Sequence, residues 1–156
     1  MKRTDATVLS AFRTDGRVQL TELSRRTGLP VSTLHERLKR YVEQGILKPI
    51  ALLNFKKVGY DARAHILLSV DPASKDKLHA VLANHPNVNS LYRINNGWHF
   101  LLESVFPTMY ELELFVEKIE QQFPIKRKEV HYTLDELKRE TFLDGSGLNL
   151  LEATFK

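Results

Sequence analysis

Gly28-Leu29-Pro30 is the tightest constraint in the sequence. Gly28 follows eight residues with helical spacing, and Pro30 precedes fourteen more. Glycine admits the left-handed backbone that ends a helix in a tight turn. Proline has no amide hydrogen and is tolerated only in the first turn of a helix, so it fixes where the next one starts. The chain must therefore fold here as helix, short turn, helix, and both helices are amphipathic.

The spacing predicts three helices in the first fifty residues. The first runs from about Asp5 to Thr14, with Val8, Leu9 and Phe12 as its apolar stripe; Asp5 suits the positive end of the helix dipole, and Asp15-Gly16 ends the helix. The second spans Leu20 to Thr27 and turns Leu20 and Leu23 inward. The third begins between Val31 and Thr33 and ends at Gly45; a late start would let Thr33 and Glu36 form a capping box. Its wheel gathers Val31, Leu34, Leu38, Tyr41 and Val42 on one side, and Thr33, Glu36, Arg37, Arg40 and Gln44 on the other.

Two short helices joined through a glycine turn, the second longer and basic outside, form a helix-turn-helix signature. Charge points the same way. Residues 1–50 carry ten Lys/Arg against five Asp/Glu, whereas residues 51–156 carry thirteen against fourteen, so the whole excess of +4 lies at the front. A cationic end of this kind suits nucleic acid, because phosphate neutralisation supplies most non-specific affinity. The second helix of the pair would offer Ser32, Thr33, Glu36 and Arg37 to base edges. Arg40, Arg25, Arg26 and Arg17 are placed to hold phosphates, with Lys39 nearer the flank.

The residues Asp5 to Thr14 followed by Asp15-Gly16-Arg17 resemble the opening of the leucine-responsive/asparagine-regulatory (Lrp/AsnC) transcription regulators. Glu22-Leu23-Ser24 with Thr27-Gly28-Leu29 is similar to the second helix and turn of that family. Arg37-Leu38-Lys39-Arg40-Tyr41 with Gly45-Ile46-Leu47 is similar to its recognition helix and exit. The resemblance covers roughly residues 5–140. Pro30 stands where the family usually has Ser, and Glu36 where it often has a second Arg, which reverses the charge at an expected base-reading position. The resemblance implies a sequence-specific, effector-responsive regulator of promoter DNA in the cytoplasm. It implies a homodimer, extended in some members to tetramers or octamers.

The remainder of the chain fits an α+β layout: an N-terminal winged helix-turn-helix followed by a ferredoxin-like βαββαβ domain. Expected domains are 1–48 for DNA binding, 49–62 for a hinge strand and linker, 63–140 for the ferredoxin-like domain and 141–156 for a tail. Ile46 to Asn54 is an apolar, strand-like run, and Gly59 turns the linker. Strands are expected at Arg63–Val70, Val88–Ile94, Trp98–Val105 and Lys126–Thr133, with helices at Lys75–Asn84, where Ser74 is the expected cap, and from Pro107-Thr108 to Gln122. Asn95-Asn96-Gly97 signals a tight hairpin, whose turn needs positive φ. His65, Leu67, Ser69, Leu91, Arg93, Trp98, Phe100 and Leu102 include candidates for the sheet face that the helices leave open. Packing sheet on sheet in a homodimer would cover it. Leu134 to Phe142 reads as a short helix or a strand extension, Asp144 to Gly147 as a break, and Leu148, Leu150, Leu151 and Phe155 as an apolar cluster.

In the resembled family the effector lies near the hairpin, which here places Asn95, Asn96, Gly97, Trp98 and His99 beside a small molecule such as an amino acid. Typical members have Gly where this chain has Asn96 and Asp where it has His99.

Other chemistry lacks its residues. With no cysteine there is no disulfide, thiolate metal site or cysteine nucleophile. No two of the six histidines have the i, i+4 spacing of a helical zinc site, and His79 and His85 read as surface residues. No phosphate-binding loop, dinucleotide glycine motif or Gly-x-Ser-x-Gly elbow appears. We expect no metal, no cofactor, no membrane span and no enzyme. The alternative from another class is a siroheme-type tetrapyrrole decarboxylase, which shares the two-domain layout and would use Arg93, Trp98, His99 and His131.

Overall fold

In the computed structural model, which describes residues 3–145, the breakers fall where the sequence puts them. Helix α1 is Arg3–Thr14, α2 is Leu20–Thr27 and α3 is Val31–Glu43. Gly28 takes φ +70° and its amide caps α2 by donating to the Ser24 carbonyl at 2.8 Å. Ser24 Oγ reaches over the turn to the Leu29 carbonyl at 2.6 Å. Pro30 is the residue before α3, with no side-chain cap. The late-start capping box of Thr33 and Glu36 is not used, because the helix already begins at Val31. Val8, Ala11, Leu23, Leu34 and Tyr41 are buried together, with Leu9, Phe12, Val18, Leu20, Leu29 and Leu47 around them.

The chain divides into two compact units: residues 3–52 with 137–145, and residues 53–136. In the second, β1 (Ala62–Val70), α4 (Lys75–Ala83), β2 (Val88–Arg93), β3 (Phe100–Phe106), α5 (Met109–Gln122) and β4 (Ile125–Tyr132) follow one another as expected. The sheet order is β2-β3-β1-β4, with every neighbouring pair antiparallel. That is the split βαβ arrangement. Helix α5 starts on a capping box the sequence reading did not include: Thr108 Oγ1 accepts from the Glu111 amide, and the Glu111 carboxylate accepts from the Thr108 amide. Ser74 precedes α4 but makes no side-chain cap; Asp71, a strand breaker in the sequence, instead accepts from the Ala73 amide at 3.0 Å.

Register decides which face each strand residue serves. Ile66 lies opposite Leu102 on one side and Val130 on the other, and Leu91 also faces Leu102. Alternation then places Ile66, Leu68, Phe100 and Leu102 against Leu78 and Leu82 of α4 and Leu112, Phe115, Val116 and Ile119 of α5. Three of the open-face candidates, His65, Leu67 and Ser69, lie on the face away from the helices. Leu91, Phe100 and Leu102 do not: they pack in the helix-covered core, and Arg93 shares their parity. The open face is mixed: Arg63, His65, Glu103, Arg127, Glu129 and His131 share it with Leu67, Tyr92, Leu101 and Val105.

Two irregular stretches differ from expectation. Ile46 to Asn54 pairs with no strand among the described residues, so the expected strand does not form there. Leu134 to Phe142 is neither helix nor strand. The apolar cluster Leu148, Leu150, Leu151 and Phe155 lies outside the described residues.

Candidate nucleic-acid interface

Helix α3 turns about 100° per residue, so burial along it marks its faces. Leu34 and Tyr41 are buried, and Thr33, Arg37 and Leu38 are half-buried. Ser32, His35, Glu36, Lys39, Arg40 and Glu43 are exposed. The outward stripe therefore runs Ser32, His35/Glu36, Lys39, Glu43, with Arg40 at its edge. Lys39 and Glu43 form an exposed ion pair one turn apart, at 3.8 Å. Outside α3, Arg17, Arg25 and Arg26 are exposed.

Arg37 has a different environment from the other basic residues of the helix. Its Nη1 donates to Asp5 Oδ1 at 2.8 Å, and the Tyr41 hydroxyl donates to the same oxygen at 2.5 Å. Burial, then the hydrogen bond and charge of Asp5, push the Tyr41 phenol above its usual value, so it remains a donor. This cluster ties α3 to the first turn of α1. Asp5 was legible as a dipole partner; its bonds to two side chains on α3 span more than thirty residues and have no local sequence signal.

The helix-turn-helix unit also includes residues 137–145. Arg13 of α1 donates to the Phe142 carbonyl at 3.0 Å, the Glu140 carbonyl at 2.6 Å and the Glu140 carboxylate at 3.0 Å. Thr14 Oγ1 donates to the Asp144 carbonyl. Glu140 and Leu143 both adopt positive φ, near +53° and +60°. Such backbone is costly for residues with a Cβ and is held here by the bonds from α1. Arg13→Ala should cost about 1 kcal/mol, since the pair is largely exposed. The check is a thermal melt, where a loss of a few degrees is expected.

The hairpin residues are wired into the sheet. Asn96 and Gly97 take φ +59° and +82°, the two positive values of a type I′ turn, and the Trp98 amide donates back to the Asn95 carbonyl at 3.3 Å. His99 Nδ1 accepts from the Val70 amide at 3.1 Å, and the His99 amide donates to the Leu68 carbonyl at 2.9 Å. That nitrogen must present its lone pair, leaving Nε2 for any other contact. The Arg127 guanidinium lies 4.4 Å from the centre of the Trp98 ring, a cation–π contact that adds a residue the sequence reading did not include.

Arg93 and His131, grouped for the decarboxylase alternative, lie on β2 and β4, the two opposite edges of the sheet. His79 is exposed, as expected. His85 is half-buried against Phe115, 4.6 Å between ring centres, and burial, then the charge of Lys118, pushes its imidazole below the usual value. Among the described residues no three His, Asp or Glu side chains gather as a metal site, and no helix is long and apolar enough to cross a membrane.

Comparison with known proteins agrees with both units. Residues 1–48 match the winged helix-turn-helix DNA-binding model, and residues 63–143 match the Lrp/AsnC ligand binding domain. An uncharacterized HTH-type transcriptional regulator of Pyrococcus horikoshii is 32% identical over 127 residues, 80% of each chain. The HTH-type transcriptional regulator FL11 of Pyrococcus furiosus is 29% identical over 116 residues, covering 74% of this chain and 77% of that one. Among solved structures, the L-Met complex of a transcriptional regulator from Neisseria meningitidis superposes with TM-score 0.80 at 25% identity, over 89% of this chain and 93% of that one. The AsnC of E. coli shares the fold, with TM-score 0.80 at 20% identity, covering 92% and 98%. A basic helix-turn-helix followed by this ligand binding domain places the chain in the Lrp/AsnC family, as a DNA-binding transcription regulator with a ligand binding domain.

Proposed function

We propose that two copies of this chain read promoter DNA in the cytoplasm by laying α3 in successive major grooves, and that the protein is not an enzyme. One observation carries the reading: α3 is fastened to α1 on one side by Asp5, Arg37 and Tyr41, while its other side exposes the hydrogen-bonding side chains Ser32, His35 and Glu36 in its first half and Lys39 and Arg40 beyond them. Ser32, Thr33 and Glu36 belong to the base-reading half of the helix, and Lys39, Arg40, Arg17, Arg25 and Arg26 to phosphates. Arg37 serves the complex by setting the angle of α3.

A homodimer, assembled further into tetramers or octamers, supplies the second α3. Exposed Ile46, Ile50 and Leu52 along the unladdered segment, more than half accessible, favour cover by another copy. A small-molecule effector such as an amino acid binds near Asn95, Asn96, Gly97, Trp98 and His99, with Arg127 available to an anionic group.

The test is fluorescence anisotropy with operator duplexes selected from a random pool. Lys39→Ala and Arg40→Ala should each weaken binding by about 1 kcal/mol or more and flatten the salt dependence by about one counterion. Unchanged affinity and salt slope in both variants would refute the placement of α3.

A further inference from the structure

We infer that His35 is a specificity-determining contact, donating a hydrogen bond to a base edge of the operator; this rests on the reading that α3 enters the major groove. His35 is the fifth residue of α3, in the half of a recognition helix that faces bases. It is exposed and lies three residues after Ser32 and four before Lys39, on one stripe. Its ring makes no hydrogen bond or ion pair with the described residues, whereas Arg37, the more obvious base reader by residue type, is committed to Asp5.

The chemistry of the stripe specifies what it reads. An imidazole N–H can donate to guanine O6 or N7 or to thymine O4, and the short, two-torsion side chain tolerates little displacement. Glu36 beside it is an acceptor only, suited to the amino group of cytosine. Val31, one turn before His35, is 41% exposed at the start of the helix, an apolar contact for a thymine methyl. A donor, an acceptor and an apolar group therefore lie side by side where the base edges would be, and the arginines flank them.

The experiment uses the full chain and its His35→Ala and His35→Asn variants. Each is carried through selection from random duplexes, then binding to the selected site and to a non-specific duplex. His35→Ala should lose the preference at one position in each half-site and bind the selected site roughly 5- to 150-fold more weakly. Non-specific affinity and the salt slope should stay at wild-type values, which a merely structural role would not preserve. His35→Asn, which can pair with adenine, should shift that position toward adenine. An unchanged selected sequence at wild-type affinity, or an equal loss on both duplexes, overturns the inference. Lys39→Ala in the same assay separates the two levels. If it weakens binding while His35→Ala does not, only the role of His35 falls; if neither matters, the placement of α3 falls with it.

Discussion

Leu34→Ala is expected to abolish operator binding while leaving the sheet unit folded. Leu34 has no exposed surface and is one of the five buried apolar residues that, among the described residues, hold α1, α2 and α3 together. Truncating a fully buried leucine costs about 2–5 kcal/mol. A unit of this size has about 3–9 kcal/mol of stability in total, at the usual value per residue. The substitution therefore removes a large part of what keeps α3 in place. Circular dichroism should show an early, low-temperature loss of helix, with a later transition from the sheet unit retained. A single transition at the wild-type temperature would contradict this account of the core.

Glu103→Ala is the second large effect. Glu103 lies on β3 with its side chain 9% exposed and is paired with Arg63 of β1, 16% exposed. Asn89 Nδ2 and Ser90 Oγ donate to its other oxygen at 2.5 and 3.3 Å. Arg63 also pairs with Glu136 and stacks over Phe55 at 5.4 Å. Removing Glu103 leaves a mostly buried guanidinium with one carboxylate, and should cost about 3 kcal/mol, the lower end for breaking a buried pair because Glu136 remains. The sheet unit's melting transition reports it.

The same cluster predicts an acid response. Burial pushes the Glu103 carboxyl up, but the hydrogen bonds from Asn89 and Arg63 and the charge of Arg63 outweigh it, holding the group below its ordinary value of 4.5. A depressed folded-state value means the contribution is fully present above about pH 4.5 and is lost as pH falls through the lower folded value. Wild type should lose stability in that acid window, and Glu103→Gln should flatten the loss.

The elements that sequence predicted most closely are those closed by backbone chemistry. Gly28 and Pro30 bracket the turn, fixing the end of α2 and confining the start of α3 to the residues just after Pro30. Asn96-Gly97 fixes the hairpin, because both residues must accept positive φ. Where the outcome depended on partners distant in sequence, local reading fell short. Placing Arg37 on the outer face followed from the helix wheel, where it borders the polar side; Asp5 then draws it inward. The parity of β1 was readable from its own alternation, but assigning Leu91, Phe100 and Leu102 to a face needed the Ile66–Leu102 register, which no local pattern encodes. Residues 134–142 have no clear helical or strand period; Arg13, from the other end of the chain, holds Glu140 and Phe142.

Methylation interference on a selected operator tests the central claim most directly, since N7 of guanine lies in the major groove and N3 of adenine in the minor. The account predicts that N7 methylation blocks binding in two patches whose centres are about 10 base pairs, or a multiple of that, apart. Binding indifferent to N7 methylation throughout, or blocked at one unrepeated patch, would contradict it.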